Sequence, residues 1–171
     1  RHLKNCVSLG MWVIFKEGWG QFDSVEMTKK LAAMDSTRVI DSVSGWHDQG
    51  EDSSQLKSLH VYFKPVRIPD DKRCIVLSEF GGYSLPTEGH MFSPDKLFGY
   101  KKYKSTDAFA AAFKKLYEKQ IVPGIDKGLS ATVYTQVSDV EEEINGLVTY
   151  DRRVIKMPKE VAREVNSKLK Y

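Results

Sequence analysis

The fold of this chain is decided by residues 10–21, which run Gly-Met-Trp-Val-Ile-Phe-Lys-Glu-Gly-Trp-Gly-Gln. The apolar run at 11–15 predicts a buried β-strand, because parallel strands covered on both faces are nearly continuous in apolar residues. The strand leads to a carboxylate, Glu17, and to Trp19 between two glycines. Parallel α/β enzymes carry their reacting groups at the carboxyl ends of strands. The stretch therefore predicts a functional Glu17, although a core strand followed by a solvated Glu17 fits the same pattern.

The same pattern occurs a second time, at residues 74–82, which run Cys-Ile-Val-Leu-Ser-Glu-Phe-Gly-Gly. An apolar strand again ends at a carboxylate, Glu79, followed by an aromatic residue and two glycines. If both strands belong to one barrel, their carboxyl ends lie at one rim, and Glu17 and Glu79 are expected to point into one pocket. Two carboxylates on either side of a glycosidic bond are the machinery of glycoside hydrolysis.

Strands and helices alternate along the rest of the chain. The predicted strands cover residues 10–16, 38–43, 57–63, 74–78 and 129–135, and the predicted helices cover 23–34, 107–119 and 159–169. This alternation predicts the α/β class with a parallel sheet. The segment at 83–103, which joins the strand at 74–78 to the helix at 107–119, is rich in aromatic residues. This composition favours an active-site loop over a linker.

Both glutamate motifs resemble those of a known family. Residues 15–21 and 78–82 are similar to the acid/base and nucleophile motifs of family two glycoside hydrolases, which include β-galactosidases, β-glucuronidases and β-mannosidases. The resemblance continues through 44–46, 60–62 and 134–151, so that it covers nearly the whole chain in the same order.

The resemblance implies an α/β fold that is a partial (β/α)8 TIM barrel, about the last five strands of the barrel. A complete barrel needs about 250 residues, whereas this chain has 171. Residues 1–171 are therefore expected to be the C-terminal portion of a TIM-barrel catalytic domain, a fragment of a larger protein. The chain also starts at Arg1 rather than at a Met, which favours the same interpretation.

The resemblance also assigns a role to each glutamate. It implies retaining, β-galactosidase-like hydrolysis of β-glycosidic bonds, with Glu17 as the general acid/base and Glu79 as the nucleophile. Glu17 must then hold a proton while Glu79 is ionised, and retention requires the two carboxyl groups to lie about 5–5.5 Å apart.

Further substrate-binding residues are expected beside the glutamates and at the other strand ends, namely Lys16, Trp19, Trp46, His60, Tyr62, Tyr134 and Gln136. Tyr62 matches the family's tyrosine that donates a hydrogen bond to the nucleophile, and His60 matches a histidine at the same strand end. Each also fits a structural role, as an aromatic strand end or as a hydrogen-bonded core histidine. Trp46 is preferred to Trp19 as the sugar contact.

Lys16 departs from the family's motif, in which an asparagine binds the sugar 2-hydroxyl. An ammonium group beside Glu17 favours the ionised carboxylate, which is the wrong state for a general acid. This departure supports an alternative hypothesis, a catalytically impaired carbohydrate-binding or structural remnant of the same fold.

Composition argues against several other classes of protein. The net charge is only +3 with both signs interspersed, and no nucleic-acid motif accompanies the basic segment at 100–104, which fits a solvated face better than an interaction module. Cys6 and Cys74 form no disulfide framework or metal spacing, and Cys74 is predicted to be a small core residue. No apolar run reaches the length of a membrane span. We expect no cofactor and no metal.

The expected partners are a carbohydrate substrate and a further part of the protein, or a second copy of it, that covers the unpaired strand edges. Five strands cannot close a barrel of eight, and unpaired strand edges promote association. The edges are expected to be covered by a missing N-terminal half-barrel and β-sandwich domains, as the resemblance implies, or by self-association of the fragment.

Overall fold

The computed structural model describes residues 2–49 and 53–170, and within them the protein is a mixed α/β fold with parallel strands. In chain order the elements are β1 (Met11–Lys16), α1 (Ser24–Met34), β2 (Val39–Ser44), β3 (Leu56–Val61), β4 (Cys74–Gly81), β5 (Tyr83–Ser84), β6 (Lys101–Lys102), α2 (Thr106–Leu116), α3 (Val122–Ile125), β7 (Leu129–Thr135) and α4 (Lys159–Asn166). The five predicted strands and three predicted helices are confirmed. The short strands β5 and β6 lie within the segment predicted to be a loop.

Parallel pairing sets the register of the first sheet. β1 pairs with β2 so that Met11 lies opposite Val39 and Lys16 lies opposite Ser44. The order of the next sheet is β3-β4-β7, and β5 pairs in parallel with β6. The strands of the described residues do not close into a barrel.

The chain forms two compact units. Unit 1 is drawn from residues 1–60 and 69–78, and unit 2 from residues 61–68 and 79–171. Two of the three boundaries fall within β3 and β4, and the third, between residues 68 and 69, falls in the loop that joins these strands.

Unit 1 packs α1 on its strands through polar side chains. The buried face of α1 is polar: Ser24 and Thr28 are buried, whereas the apolar side chain of Met34 is half exposed. Thr28 Oγ1 lies 2.7 Å from both the Ser24 carbonyl oxygen and Ser42 Oγ. The helix faces a strand whose buried residues include Ser42, so Thr28 supplies a hydrogen bond to a buried hydroxyl of that strand.

Unit 2 has an aromatic core. Phe109 and Phe113 of α2 are buried, and the rings of Phe80 and Tyr134 pack edge to face in the same core. The side chain of Ser105 caps α2 by accepting a hydrogen bond from the Ala108 amide at 3.2 Å.

Pro123 and Gly124, a pair that is typical of a helix end, do not end this helical segment. A π-helical turn, Tyr117–Ile121, leads directly into α3, which contains both residues. Proline is tolerated there because the first turn of a helix does not need its amide hydrogens. The prediction that Cys74 is a core residue is wrong, since Cys74 is exposed at the start of β4. In the described part of the chain, the helices are all too short or too polar to span a membrane.

Candidate active site

The turn after β1 presents the first glutamate. The Glu17 amide donates to the Ser44 carbonyl oxygen at 3.0 Å, and the Trp19 amide donates to the Lys16 carbonyl oxygen at 2.9 Å. Glu17 has a φ of +55°, a conformation that few residues other than glycine adopt and that is common at functional sites. Because β1 and β2 are parallel, the turn lies at the same edge of the sheet as the end of β2.

His60, at the end of β3, holds the Glu17 carboxylate. Its Nδ1 lies 2.7 Å from Glu17 Oε1, and its Nε2 lies 3.1 Å from Ser44 Oγ. With its hydrogen on Nδ1 the neutral imidazole donates to Glu17, and with its hydrogen on Nε2 it donates to Ser44 while Nδ1 accepts from a protonated Glu17. The His60 side chain is fully buried, whereas that of Glu17 is 15% exposed. The histidine predicted for substrate contact is thus a partner of the predicted acid/base.

Gly45 makes this position of His60 possible. A Cβ on Gly45 would lie 2.5 Å from His60 Nδ1, and Gly45 has a φ of +88°. Only glycine meets both requirements without strain. The glycine of the motif at 44–46 therefore fixes where the imidazole lies.

A buried polar cluster surrounds Ser44. Its hydroxyl lies 3.4 Å from Ser58 Oγ and 3.3 Å from Ser78 Oγ, and Ser58 and Ser78 are in close contact with each other. Asp41, on the same strand as Ser44, is 1% exposed, and burial raises the pKa of its carboxyl group. Sequence reasoning missed these residues. The signal was the polar side chains of Asp41, Ser42 and Ser44, which are half of the six residues of β2.

The other residues predicted around Glu17 are more exposed. Trp46 is 51% exposed, and its ring meets that of His60 edge to face at a centroid distance of 6.3 Å. Trp19 is 80% exposed, and Lys16 is exposed at the end of β1. Trp46 therefore lies beside the Glu17–His60 pair, while Trp19 presents its indole to solvent.

The second glutamate, in unit 2, is held by the tyrosine that the motif predicts. The Tyr62 hydroxyl donates to Glu79 Oε2 at 2.5 Å and lies 3.2 Å from Thr135 Oγ1. The Tyr62 ring stacks on Tyr100 at 3.8 Å with the planes 2° apart. Burial and the hydrogen bond to Glu79 both raise the pKa of Tyr62, so its hydroxyl keeps the proton that it donates.

Tyr134 does not face this pair, contrary to the expectation from its place at the end of β7. Its ring packs on Phe80 and Phe113 at centroid distances of 5.5 and 5.0 Å, in the core of unit 2. Alternate residues of a strand point to opposite faces, so the next residue, Thr135, reaches Tyr62 instead. Nothing in the sequence distinguished Thr135 from its neighbours.

Gln136 belongs to a separate hydrogen-bonded turn. Its Nε2 donates to Asn145 Oδ1 at 2.8 Å, and Asn145 Nδ2 donates to Glu143 Oε1 at 2.9 Å. Asn145 is completely buried. These bonds join the end of β7 to the loop before Leu147. They engage the side-chain amide of Gln136, which the sequence analysis expects to bind substrate.

No protein-family model matches this chain, and a search of curated proteins gave no match either.

Proposed function

We propose that this chain is part of a TIM-barrel catalytic domain that hydrolyses β-glycosidic bonds with retention, Glu17 being the general acid/base and Glu79 the nucleophile. The observation that carries the proposal is the 2.5 Å hydrogen bond from Tyr62 to Glu79. It holds the Glu79 carboxylate in one orientation through a donor whose ring is itself stacked on Tyr100, and such orientation is what a nucleophilic carboxylate needs.

In the first step, one Glu79 oxygen attacks the anomeric carbon while the bond from that carbon to the leaving oxygen breaks. Glu17 gives its proton to the leaving oxygen, so an alcohol departs and a glycosyl ester remains on Glu79. In the second step, Glu17 takes a proton from water, the water oxygen attacks the anomeric carbon, and the Glu79 carboxylate is released.

His60 supports the role of Glu17. When Nδ1 carries the hydrogen, its bond to Oε1 is strongest with Glu17 as an anion, because hydrogen bonds to ionised groups are about twice as strong as neutral ones. Glu17 becomes an anion as it loses its proton in the first step. In that form His60 orients Glu17 and favours the anion that acts as the base of the second step, while the other tautomer holds the protonated acid of the first step.

The test uses chromogenic β-galactoside, β-glucuronide and β-mannoside substrates together with a 2-deoxy-2-fluoro glycoside, which traps the ester. We expect turnover of at least one substrate, no turnover by Glu79→Gln, and a trapped label on the peptide that contains Glu79. Glu17→Gln should lose activity on poor leaving groups and keep more on dinitrophenyl glycosides, which need little acid assistance. Glu88→Gln, at an exposed position, is the matched control. An active Glu79→Gln enzyme, or a label on another residue, would contradict the assignment.

A second candidate is a carbohydrate-binding remnant without catalysis, favoured by Lys16 in place of asparagine and by the exposed rings of Trp19 and Trp46. It predicts sugar binding by a folded wild-type chain that turns over none of the three substrates.

A further inference from the structure

A chain of serine hydroxyls leads away from the His60 imidazole in unit 1. Ser44 Oγ lies 3.1 Å from His60 Nε2 and 3.3 Å from Ser78 Oγ, and Ser78 Oγ lies 3.3 Å from the Leu59 carbonyl oxygen. Ser58 Oγ lies beside this chain, 3.4 Å from Ser44 Oγ and in close contact with Ser78 Oγ. All these residues belong to unit 1. The steps of hydrolysis use none of the hydroxyls.

The Leu59 carbonyl oxygen gives the serine chain its direction. A carbonyl oxygen can only accept a hydrogen bond, whereas each serine hydroxyl has one hydrogen to donate. Ser78 donates its hydrogen to Leu59, and Ser44 donates its hydrogen to Ser78. Ser44 then has no hydrogen left for His60 and meets Nε2 with a lone pair. Nε2 must therefore carry a hydrogen of its own and donate it to Ser44.

Burial strengthens this preference. The His60 side chain is fully buried and Ser44 is 8% exposed, so water competes weakly for the hydrogen bond between them. Moving the imidazole hydrogen to Nδ1 would require Ser44 to turn its own hydrogen to Nε2 and to give up its bond to Ser78. Because a buried polar group without a partner is costly, the chain favours the hydrogen on Nε2.

The tautomer of His60 decides where the proton of the Glu17–His60 pair lies. An imidazole with its hydrogen on Nε2 has a lone pair on Nδ1, which lies 2.7 Å from Glu17 Oε1. Two lone pairs at that distance repel, so the two atoms need a proton between them. A neutral imidazole leaves that proton on Glu17, which is the state that a general acid needs.

We propose that Ser44 and Ser78, ending at the Leu59 carbonyl group, are positioning residues that hold the hydrogen of His60 on Nε2 and so keep Glu17 protonated in the resting enzyme. Glu17 gives this proton to the leaving oxygen in the first step and takes one from water in the second, so the serines neither lose nor gain a proton. The inference rests on the proposed function and adds the residues that prepare the acid.

Nitrogen NMR of a chain labelled in its histidine rings measures the tautomer without any substrate. A ring nitrogen that carries a hydrogen resonates far from one with a lone pair, and His60→Gln identifies the signals of His60 among those of the four histidines. We expect the wild-type chain to carry the hydrogen on Nε2 and a lone pair on Nδ1. Ser44→Ala removes the acceptor, so the hydrogen should move to Nδ1, where an ionised Glu17 accepts it.

Ser42→Ala is the matched control. It removes another buried hydroxyl of β2, one that bonds to Thr28 instead of His60, and should leave the hydrogen on Nε2. Ser44→Thr keeps a hydroxyl at the start of the serine chain and should leave the hydrogen there as well. A wild-type chain with a hydrogen on Nδ1, alone or together with one on Nε2, would overturn the inference. An unchanged spectrum of Ser44→Ala would also overturn it.

Kinetics distinguish the serine chain from a merely structural role. Ser44→Ala should lower kcat on substrates with poor leaving groups by at least about tenfold, because general acid catalysis contributes roughly 10²–10⁴-fold. It should change kcat on dinitrophenyl glycosides much less, and equal losses on both substrate classes would overturn the inference.

The two proposals fail in different ways. A hydrogen on Nε2 in a folded chain that hydrolyses no β-glycoside would retain the proton assignment and reject the hydrolase. Hydrolysis by a chain whose His60 carries its hydrogen on Nδ1 would retain the hydrolase and reject the role of the serines.

Discussion

At the scale of single residues, each glutamate depends on one partner that the backbone positions. Tyr62 donates to Glu79, and His60 lies within hydrogen-bonding distance of Glu17. Both partners are buried or half-buried, so water competes weakly for these bonds. The function of a strand-end carboxylate is thus set by residues far from it in the sequence.

Gly45→Ala tests whether this backbone position controls His60. The added Cβ meets the imidazole and also strains the backbone, whereas in Gly128→Ala, at a φ of +99°, the Cβ meets nothing within 4 Å. We expect Gly128→Ala to lower the free energy of unfolding by about 1–2 kcal/mol through strain alone. Gly45→Ala should lower it by about 1–3 kcal/mol more through overpacking. Urea unfolding of the two variants measures the difference, and equal losses would show that His60 adjusts freely.

Lys16→Asn tests whether the lysine weakens general acid catalysis. The proposed mechanism needs a protonated Glu17, which a neutral asparagine at position 16 disturbs less than a cation does, and solvent screening of the exposed Lys16 keeps the difference small. We therefore expect a modest gain in kcat on substrates with poor leaving groups and a smaller one on dinitrophenyl glycosides. Steady-state kinetics on the two substrate classes checks this. Unchanged rates on both in an active enzyme would make Lys16 a neutral replacement.

At the scale of elements, one carboxylate joins the first strand, helix and second strand. Asp35, just after α1, accepts hydrogen bonds from Trp12 Nε1 of β1 at 3.0 Å and from the Thr37 hydroxyl at 2.6 Å. Arg38, which precedes β2, donates to the same carboxylate at 2.7 Å. Asp35 therefore joins β1, α1 and β2 at one end of the sheet, and Glu17 follows β1 at the other end.

Asp35→Asn should change how stability depends on pH. The hydrogen bonds from Thr37, Trp12 and Arg38 hold the pKa of Asp35 well below its ordinary value. A folded-state pKa below the unfolded one stabilises the protein above about pH 4, and that stabilisation is lost as the pH falls through the folded-state pKa. The gap in free energy of unfolding between wild type and Asp35→Asn should be widest near neutral pH and shrink on acidification. Urea unfolding at several pH values measures the gap.

The control for this experiment is Asp95→Asn, which removes an exposed carboxylate. The free energy of unfolding of Asp95→Asn should differ little from that of the wild type at every pH. A gap for Asp35→Asn that stays constant as the pH falls would mean that the side chain acts through its shape rather than its charge.

At the scale of the whole molecule, unpaired strand edges bear on whether the chain associates with other copies in solution. Among the described residues β1 pairs only with β2, which leaves the other edge of β1 without a partner strand. Val13 of β1 is 48% exposed and Val39 of β2 is 39% exposed. Unpaired edges with exposed apolar side chains promote pairing between chains.

We expect the isolated chain to self-associate at micromolar concentration unless a longer parent covers this edge. Sedimentation equilibrium should give a mass above that of the monomer, and Val13→Lys should lower it, since a charge on an edge strand opposes pairing. The experiment is run with a reducing agent, because Cys6 and Cys74 are both exposed. A stable monomer of the wild-type chain over the whole concentration range would contradict the expectation.

The sequence by itself determined the α/β class, the five main strands and the placement of both glutamates just after or within a strand. These features are local: an apolar run, a turn signal and the residue at its end lie within about ten positions of one another. The pairing of Tyr62 with Glu79 was also predictable, because both belong to motifs quoted from the sequence. The partial barrel and the hydrolase activity remain predictions.

Only the tertiary structure decided which side chains meet. His60 and Glu17 are 43 positions apart, and their contact depends on the register of β2 and on a glycine that lets the ring approach. The tertiary structure also decided that Thr135, and not Tyr134, reaches Tyr62. Neighbouring residues of a strand point to opposite faces, so a shift of one residue exchanges the two faces. The buried face of α1 depended on the polar strand beneath it. Such contacts are properties of packed elements, and no local pattern of residues specifies them.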